Sequence, residues 1–313
     1  MEEHHKAQEK TEEKKPSFAL YIYDHHYKLL LALSLSLLFI ALIVLGIHYV
    51  RYGNFIDKDV SLKGGITLTI PASTINDVQL KEQLSQDFKD NDIEVRSLKS
   101  AGKQIGVIIS ADIDGSNQKN IDVLLDSIRS HTNLPLKKGD YSLEFFGSSL
   151  GSSFFKETNK AIIIAFLSMA AVVFIYFRNP IVSAAVVLAA FSDIIVTFAS
   201  VSLIGMKLST AGIAAFLMLI GYSVDTDILL SNKVLKTKEG TVLDRTFVAM
   251  KTGLMMTSTA IGVVFIAMIF TKSDVIRQIM IILFIGLICD IIFTWIQNAG
   301  LLRLYLEKKK TVK

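Results

Sequence analysis

A single cysteine, Cys289, stands in 313 residues, so no disulfide can form within the chain and no cysteine-based metal site can be built. No G-x-x-x-x-G-K-S/T loop is present to cradle a nucleotide phosphate. No cluster of metal ligands has recognisable spacing, and no nucleophile has a base beside it in sequence. These absences argue against an enzyme and imply no cofactor. The first apolar stretch, "LLLALSLSLLFIALIVLGIHYV", lacks a small-x-small cleavage site before "RYGNF" and is longer than a signal core, so an uncleaved anchor is expected.

What is abundant is hydrocarbon. Hydrophobic residues make up 51% of the chain against 20% charged, which is too oily for a soluble protein of this size unless the charge is segregated. Apolar stretches of about 18 residues or more fall at 29–50, 161–177 (with flanking residues), 181–204, 209–231, 253–271 and 275–302. The pattern predicts an integral membrane protein with six crossings. The net charge of +4 does not point to nucleic acid, because the basic residues lie mostly at membrane flanks. They crowd before the first span (Lys6, Lys10, Lys14, Lys15, Lys28), between the fourth and fifth (Lys233, Lys236, Lys238, Arg245, Lys251) and after the last (Arg303, Lys308, Lys309, Lys310, Lys313). That bias places both termini in the cytoplasm of a multi-pass plasma-membrane protein.

The expected layout is a disordered cytoplasmic tail at 1–28, a first span at 29–50, an outer domain at 51–156, a bundle of the remaining five spans at 157–303, and a basic tail at 304–313. In the tail, His4 and His5 are expected to be solvated. Within the outer segment "GGITLTI", "IEVRSLK", "QIGVIIS" and "YSLEFFG" read as strands, and "DVQLKEQLSQDFKDN" and "NQKNIDVLLDSIRSH" as helices. The order strand, helix, strand, strand, helix, strand predicts a ferredoxin-like α+β domain. The fold class is therefore a membrane α-helical bundle of six transmembrane helices carrying one extracytoplasmic ferredoxin-like domain.

Acids inside the apolar stretches raise the functional question, because an ionised carboxylate at bilayer depth costs about 2.5–3.5 kcal/mol even on the lenient insertion scale. Asp193, Asp225 and Asp290 fall at overlapping depths of the third, fourth and sixth spans. Ala185, Ala189, Asp193 and Thr197 form a small-and-polar stripe, as do Gly286, Asp290, Thr294 and Asn298. Asp225 and Asp227 are about 200° apart on a helix and cannot share a site. Asp225, beside Gly221, Tyr222, Ser223 and Thr226, is expected to be the sequestered acid and a proton or ion relay facing the hydroxyls Thr257, Ser258 and Thr259, with Lys251 either snorkelling outward or leaning inward as a counter-cation. Asp227 is expected to reach interfacial water or Lys233. Asp193 and Asp290 are expected to serve chiefly as interhelical hydrogen-bond glue, and with Asp227, Thr226 and Lys251 they are the further relay candidates beside Asp225. Gly212 with Ala215, and Gly286, are expected packing points.

Four segments carry a family resemblance: "DKDVSLKGGITLTI" with Asp59, Gly64 and Gly65, "RNPIVSAAVVLAAFSDIIVTFA", "GYSVDTDILLSNKVL" and "DRTFVAMKTGLMMTSTA". In this order they resemble the SecF side of the SecD/SecF family over nearly the whole chain. The resemblance implies an accessory protein-export subunit. It would pair with SecD, dock at the SecYE channel, act on an exported polypeptide in the lipid bilayer, and draw on the proton gradient, with a superfamily link to RND transporters. The "GYSVDTD" stretch departs from the bacterial SecF form "GYSxND": Thr226 stands opposite the family acid, whereas the SecD form puts Asp225 opposite its own. Lys251 replaces a bacterial arginine. Such departures are those expected of an archaeal branch. Two rival readings are half of a small-molecule or lipid exporter, and a scaffold without ion coupling.

Overall fold

A computed structural model describes residue 23, residues 25–237 and residues 240–311. The expectations for most of the N-terminal tail, His4 and His5 included, and for Lys238 and Lys313 lie outside the described residues. Six helices are long and apolar enough to cross a membrane. They are α1 (Tyr27–Tyr52), α5 (Ser148–Phe177), α6 (Pro180–Leu203), α7 (Thr210–Lys236), α8 (Val242–Phe270) and a sixth continuous rod. The rod consists of α9 (Asp274–Ile292), a π-helical segment (Phe293–Asn298) and α10 (Ala299–Thr311). Local chemistry sets the ends. Asn179 caps α6, accepting from the backbone N–H groups of Ile181 and Val182, with Pro180 at the first helical position. Thr241 and Asp244 close a capping box on α8.

Between α1 and α5 lie the short helix α2 (Val60–Lys63), β1 (Gly65–Ile70), α3 (Asp77–Asp87), β2 (Ile93–Ser100), β3 (Lys103–Ala111), α4 (Gln118–Thr132) and β4 (Ser142–Phe146). The four strands pair antiparallel in the order β2-β3-β1-β4, the ferredoxin-like arrangement the alternation predicts. Ile66, Leu68 and Ile70 point to one face because strand side chains alternate, and they meet Leu80 and Leu84 of α3 and Leu124 and Ile128 of α4 in one core. Gly65 opens β1 at φ +142°; a Cβ there would lie 2.4 Å from the Ala111 carbonyl oxygen. Only glycine fits that backbone and that approach.

The outer domain sits on the bundle through charge and backbone. Asp59 N–H donates to the Leu208 carbonyl at 2.9 Å, and Leu208 N–H donates to the Asp57 carbonyl at 2.7 Å. Lys207 pairs with Asp92 at 2.9 Å and with Glu94 at 3.3 Å, while Arg96 reaches Asp274 at 3.3 Å. Burial alone would raise the Asp92 carboxyl, but Lys207 and Lys63 outweigh it and hold Asp92 below the usual carboxylate range. Burial also works against the charge on Lys207, yet Asp92 and Glu94 leave it above the ordinary lysine value. Asp59 shifts the other way: burial lifts its carboxyl, and Arg96, 4.0 Å away, only partly offsets this.

Candidate functional site

The centre of the bundle is a polar seam where α6, α7 and the sixth rod meet. Ser192, Asp193 and Thr197 come from α6; Ser223, Thr226 and Asp227 from α7; Asp290, Thr294, Gln297 and Asn298 from the rod. None is more than 1% exposed. Small residues allow the approach: a Cβ on Gly286 would lie 2.5 Å from Leu219, as the expected packing role requires.

Hydrogen bonds run across the seam. The Ser223 hydroxyl donates to Asp193 Oδ2. The Thr226 hydroxyl lies 2.9 and 3.1 Å from the two Asp290 oxygens and 2.8 Å from the Ser223 carbonyl. Thr294 donates to Asp290 at 3.0 Å and Asn298 Nδ2 to Asp227 Oδ1 at 2.8 Å. Gln297 Nε2 donates to Ser192 Oγ at 2.9 Å. Among the described residues no lysine or arginine forms an ion pair with these three acids. Burying an ionised group without a partner costs several kcal/mol, and here the three carboxyls have neutral partners, hydroxyls and an amide. Thr226 suits such a site. Its single proton can go to an ionised Asp290, or turn to the Ser223 carbonyl while its oxygen accepts from a protonated Asp290.

The π-helical turn shapes the rod's contribution. A wider turn inserts an extra residue into the helical count, and such turns recur at functional sites. Here it brings Thr294, Gln297 and Asn298 inward together with Trp295, all buried. Trp295 lies on Gly253 of α8, where a Cβ would stand 2.2 Å from the indole. The Tyr23 hydroxyl donates to the Trp295 carbonyl at 2.6 Å. Burial pushes the Tyr23 phenol above its ordinary range, against the opposing charge of Arg303.

The expected site is corrected in several places. Asp225 is exposed and Asp227 is wholly buried, the reverse of the expectation. The 200° separation holds, but the helix is turned so that Thr226, Asp227 and Ser223 face α6 and the rod. Asp227 reaches neither interfacial water nor Lys233; its partner is Asn298. Gly221 and Tyr222 are also exposed, and a Cβ on Gly221 would meet nothing within 4 Å. The triplet Thr257, Ser258, Thr259 splits: Thr257 is buried, Ser258 is exposed, and only Thr259 shares a groove with Asp225. Of its two expected postures Lys251 takes the outward one: it is exposed and forms no ion pair with Asp225 among the described residues, and Thr252 lines the groove. Asp59, Gly64 and Gly65 lie at the junction of outer domain and bundle, remote from the seam. Asp193 and Asp290 do accept interhelical hydrogen bonds. Ser192 and Gln297 escaped the sequence reading because neither lies on a four-residue stripe.

The groove that holds Asp225 runs between α7, α8 and α9, has a volume of about 1040 Å³, and is otherwise lined by residues such as Met218, Met255, Val263 and Leu287.

The family model described as "Protein export membrane protein SecD/SecF, C-terminal" matches residues 127–308. The protein-export membrane protein SecF of Methanocaldococcus jannaschii is 38% identical over 92% of this chain and 98% of its own. The chain belongs to the SecF branch of the SecD/SecF family. SecF of Pyrococcus furiosus is 34% identical over 87% of this chain and 88% of its own. Among solved structures, SecDF from Thermus thermophilus, a translocon-associated membrane protein, matches with a TM-score of 0.70 at 15% identity. That match covers 94% of this chain and 39% of the SecDF chain, so this SecF-branch chain spans about two fifths of that longer molecule. SecDF in a super-membrane-facing form matches with a TM-score of 0.55 at 16% identity, over 89% of this chain and 38% of its own. The likeness to both is one of fold.

Proposed function

We propose that the chain is an accessory subunit of the Sec protein-export machinery that pairs with a SecD half and assists an exported polypeptide at the SecYE channel. Its termini lie in the cytoplasm and its six helices in the plasma membrane. The work is transport, not catalysis. The observation that carries this reading is the exposed Asp225 in its apolar groove. Asp225 lies 15 residues into α7, about 22 Å along its axis, and a carboxylate left to lipid there costs about 2.5–3.5 kcal/mol. A second membrane half laid over α7 and α8 removes that cost, and the relatives' names and the longer SecDF chain supply the kind of half required. Of the relay candidates, the proton path then runs through the buried Asp193, Asp227 and Asp290 rather than through Asp225. A proton crossing about 100 mV releases roughly 2.3 kcal/mol, enough to bias two packings of a seam held by single hydrogen bonds.

The test uses a Thr259→Cys variant expressed in native membranes. The one native cysteine is buried, so a thiol crosslinker reports the new position. Crosslinking to a SecD-like protein is expected, and capture of lipid alone would reject the pairing. In vesicles, a protonophore should slow the late phase of export; an export rate indifferent to the gradient would reject the relay.

A further inference from the structure

Asp227 and Asn298 are both wholly buried, and each is left with one oxygen that finds no donor. Asn298 Nδ2 donates to Asp227 Oδ1 at 2.8 Å, while Asp227 Oδ2 and Asn298 Oδ1 have no partner. The two side chains are planar forks of the same size. One arm of each is used in the contact, and both remaining arms are acceptors if Asp227 is ionised. A single proton placed on Asp227 Oδ2 turns that arm into a donor for Asn298 Oδ1. We propose that Asp227 is held as a neutral carboxylic acid in a cyclic acid–amide pair with Asn298, and that this pair is the proton-storing element of the seam.

The surroundings favour a proton over an anion. The charged groups acting on Asp227 from neighbouring helices are acids, Asp290 of α9 and Asp193 of α6. The buried polar side chains of α8, Thr246 and Thr257, are uncharged. On its own helix, Asp225 is turned outward and Lys233 is exposed. Thr294 brings a hydroxyl near Asp227, but it carries a single proton, which goes to Asp290 at 3.0 Å and leaves Asp227 Oδ2 without a donor. A proton is the smallest positive charge that also supplies the missing donor.

Asn298 is thus a positioning residue. It ends the π-helical segment and ties that segment to α7 through the proton on Asp227. Loss of the proton leaves two unpaired acceptor arms and one hydrogen bond, so the contact between α7 and the rod weakens at the turn whose geometry is least regular. This inference rests on the reading of the buried acids as the relay and names the residue that makes one of them switchable.

Infrared difference spectroscopy on the full-length protein in lipid separates the two ideas. Against wild type, Asp227→Asn should remove the carbonyl-stretch band of a protonated carboxylic acid. It should still fold, with an unfolding midpoint within about 2 °C, because an amide–amide pair keeps both contacts. Asn298→Leu should move that acid band and lower the midpoint. Removal of ionised-carboxylate bands by Asp227→Asn would overturn the proposal, as would failure of that variant to fold or an acid band unmoved by Asn298→Leu. Gradient-insensitive export with the acid band present would reject the relay and leave the pair intact.

Discussion

Substituting Gly253 with alanine is expected to displace the only tryptophan in the chain and with it the π-helical turn. A Cβ at residue 253 would stand 2.2 Å from Trp295 Cζ2 and 2.7 Å from Cη2, where carbon atoms in contact prefer about 3.5–4.0 Å. The indole must therefore retreat by more than about 1 Å. It has little room, since Trp295 is 2% exposed and sits among Val182, Leu230, Ala249 and Leu302. Overpacking of this kind costs about 1–3 kcal/mol. At about 2–4 °C per kcal/mol for larger chains, the unfolding midpoint should fall by several degrees. Because Trp295 is the sole tryptophan, its fluorescence reports both the local change and the global transition. Gly262→Ala in the same helix is the control, as a Cβ there meets nothing within 4 Å, and it should match wild type. An unchanged midpoint and emission spectrum in Gly253→Ala would refute the claim that this helix clamps the turn.

Thr226→Val keeps shape but removes the hydroxyl shared by Asp290 and the Ser223 carbonyl. A loss of about 1–3 kcal/mol is expected, read as a lower midpoint in thermal unfolding, and an unaltered midpoint would count against the shared-proton role. Gly65→Ala should disrupt β1 of the outer domain and leave the bundle folded, giving a protease-sensitive outer segment with intact membrane helices. The lysine bridge at Asp92 should open at both extremes of pH. Asp92 titrates below its unfolded value, so its contribution is full above about pH 4 and is lost on further acidification. Lys207 titrates above its unfolded value, so its contribution is present below about pH 10 and fades as the pH climbs past the folded value. Reactivity of Lys207 toward an amine reagent should rise when the bridge opens, whereas reactivity independent of pH, after correction for free lysine, would exclude it.

The membrane class and the outer domain were legible because period and length encode them directly. Six apolar runs gave six helices, and the strand and helix pattern of 64–147 gave a four-stranded sheet in the expected order. The site was only half legible. Stripes through Asp193 and Asp290 marked the buried faces of α6 and the rod, since a repeat of four follows one side of a helix. The same logic could not orient α7, where Asp225 and Asp227 each head a plausible polar face and only packing against α6 and the rod chooses between them. Ser192 pairs with Gln297 across the seam, and no spacing rule shows a contact between residues 105 positions apart. The π-helical turn was also hidden, because the rotation it adds is not written in residue type.

The separation of roles along α7 is tested most directly by gradient-driven export in vesicles that carry either Asp227→Asn or Asp225→Asn, with recovery of the SecD-like partner scored in both. Asp227→Asn should abolish stimulation by the proton gradient while the partner is still recovered, and Asp225→Asn should act chiefly on partner recovery. Normal gradient stimulation in Asp227→Asn, together with its loss in a fully assembled Asp225→Asn complex, would contradict the assignment and return the relay to the groove.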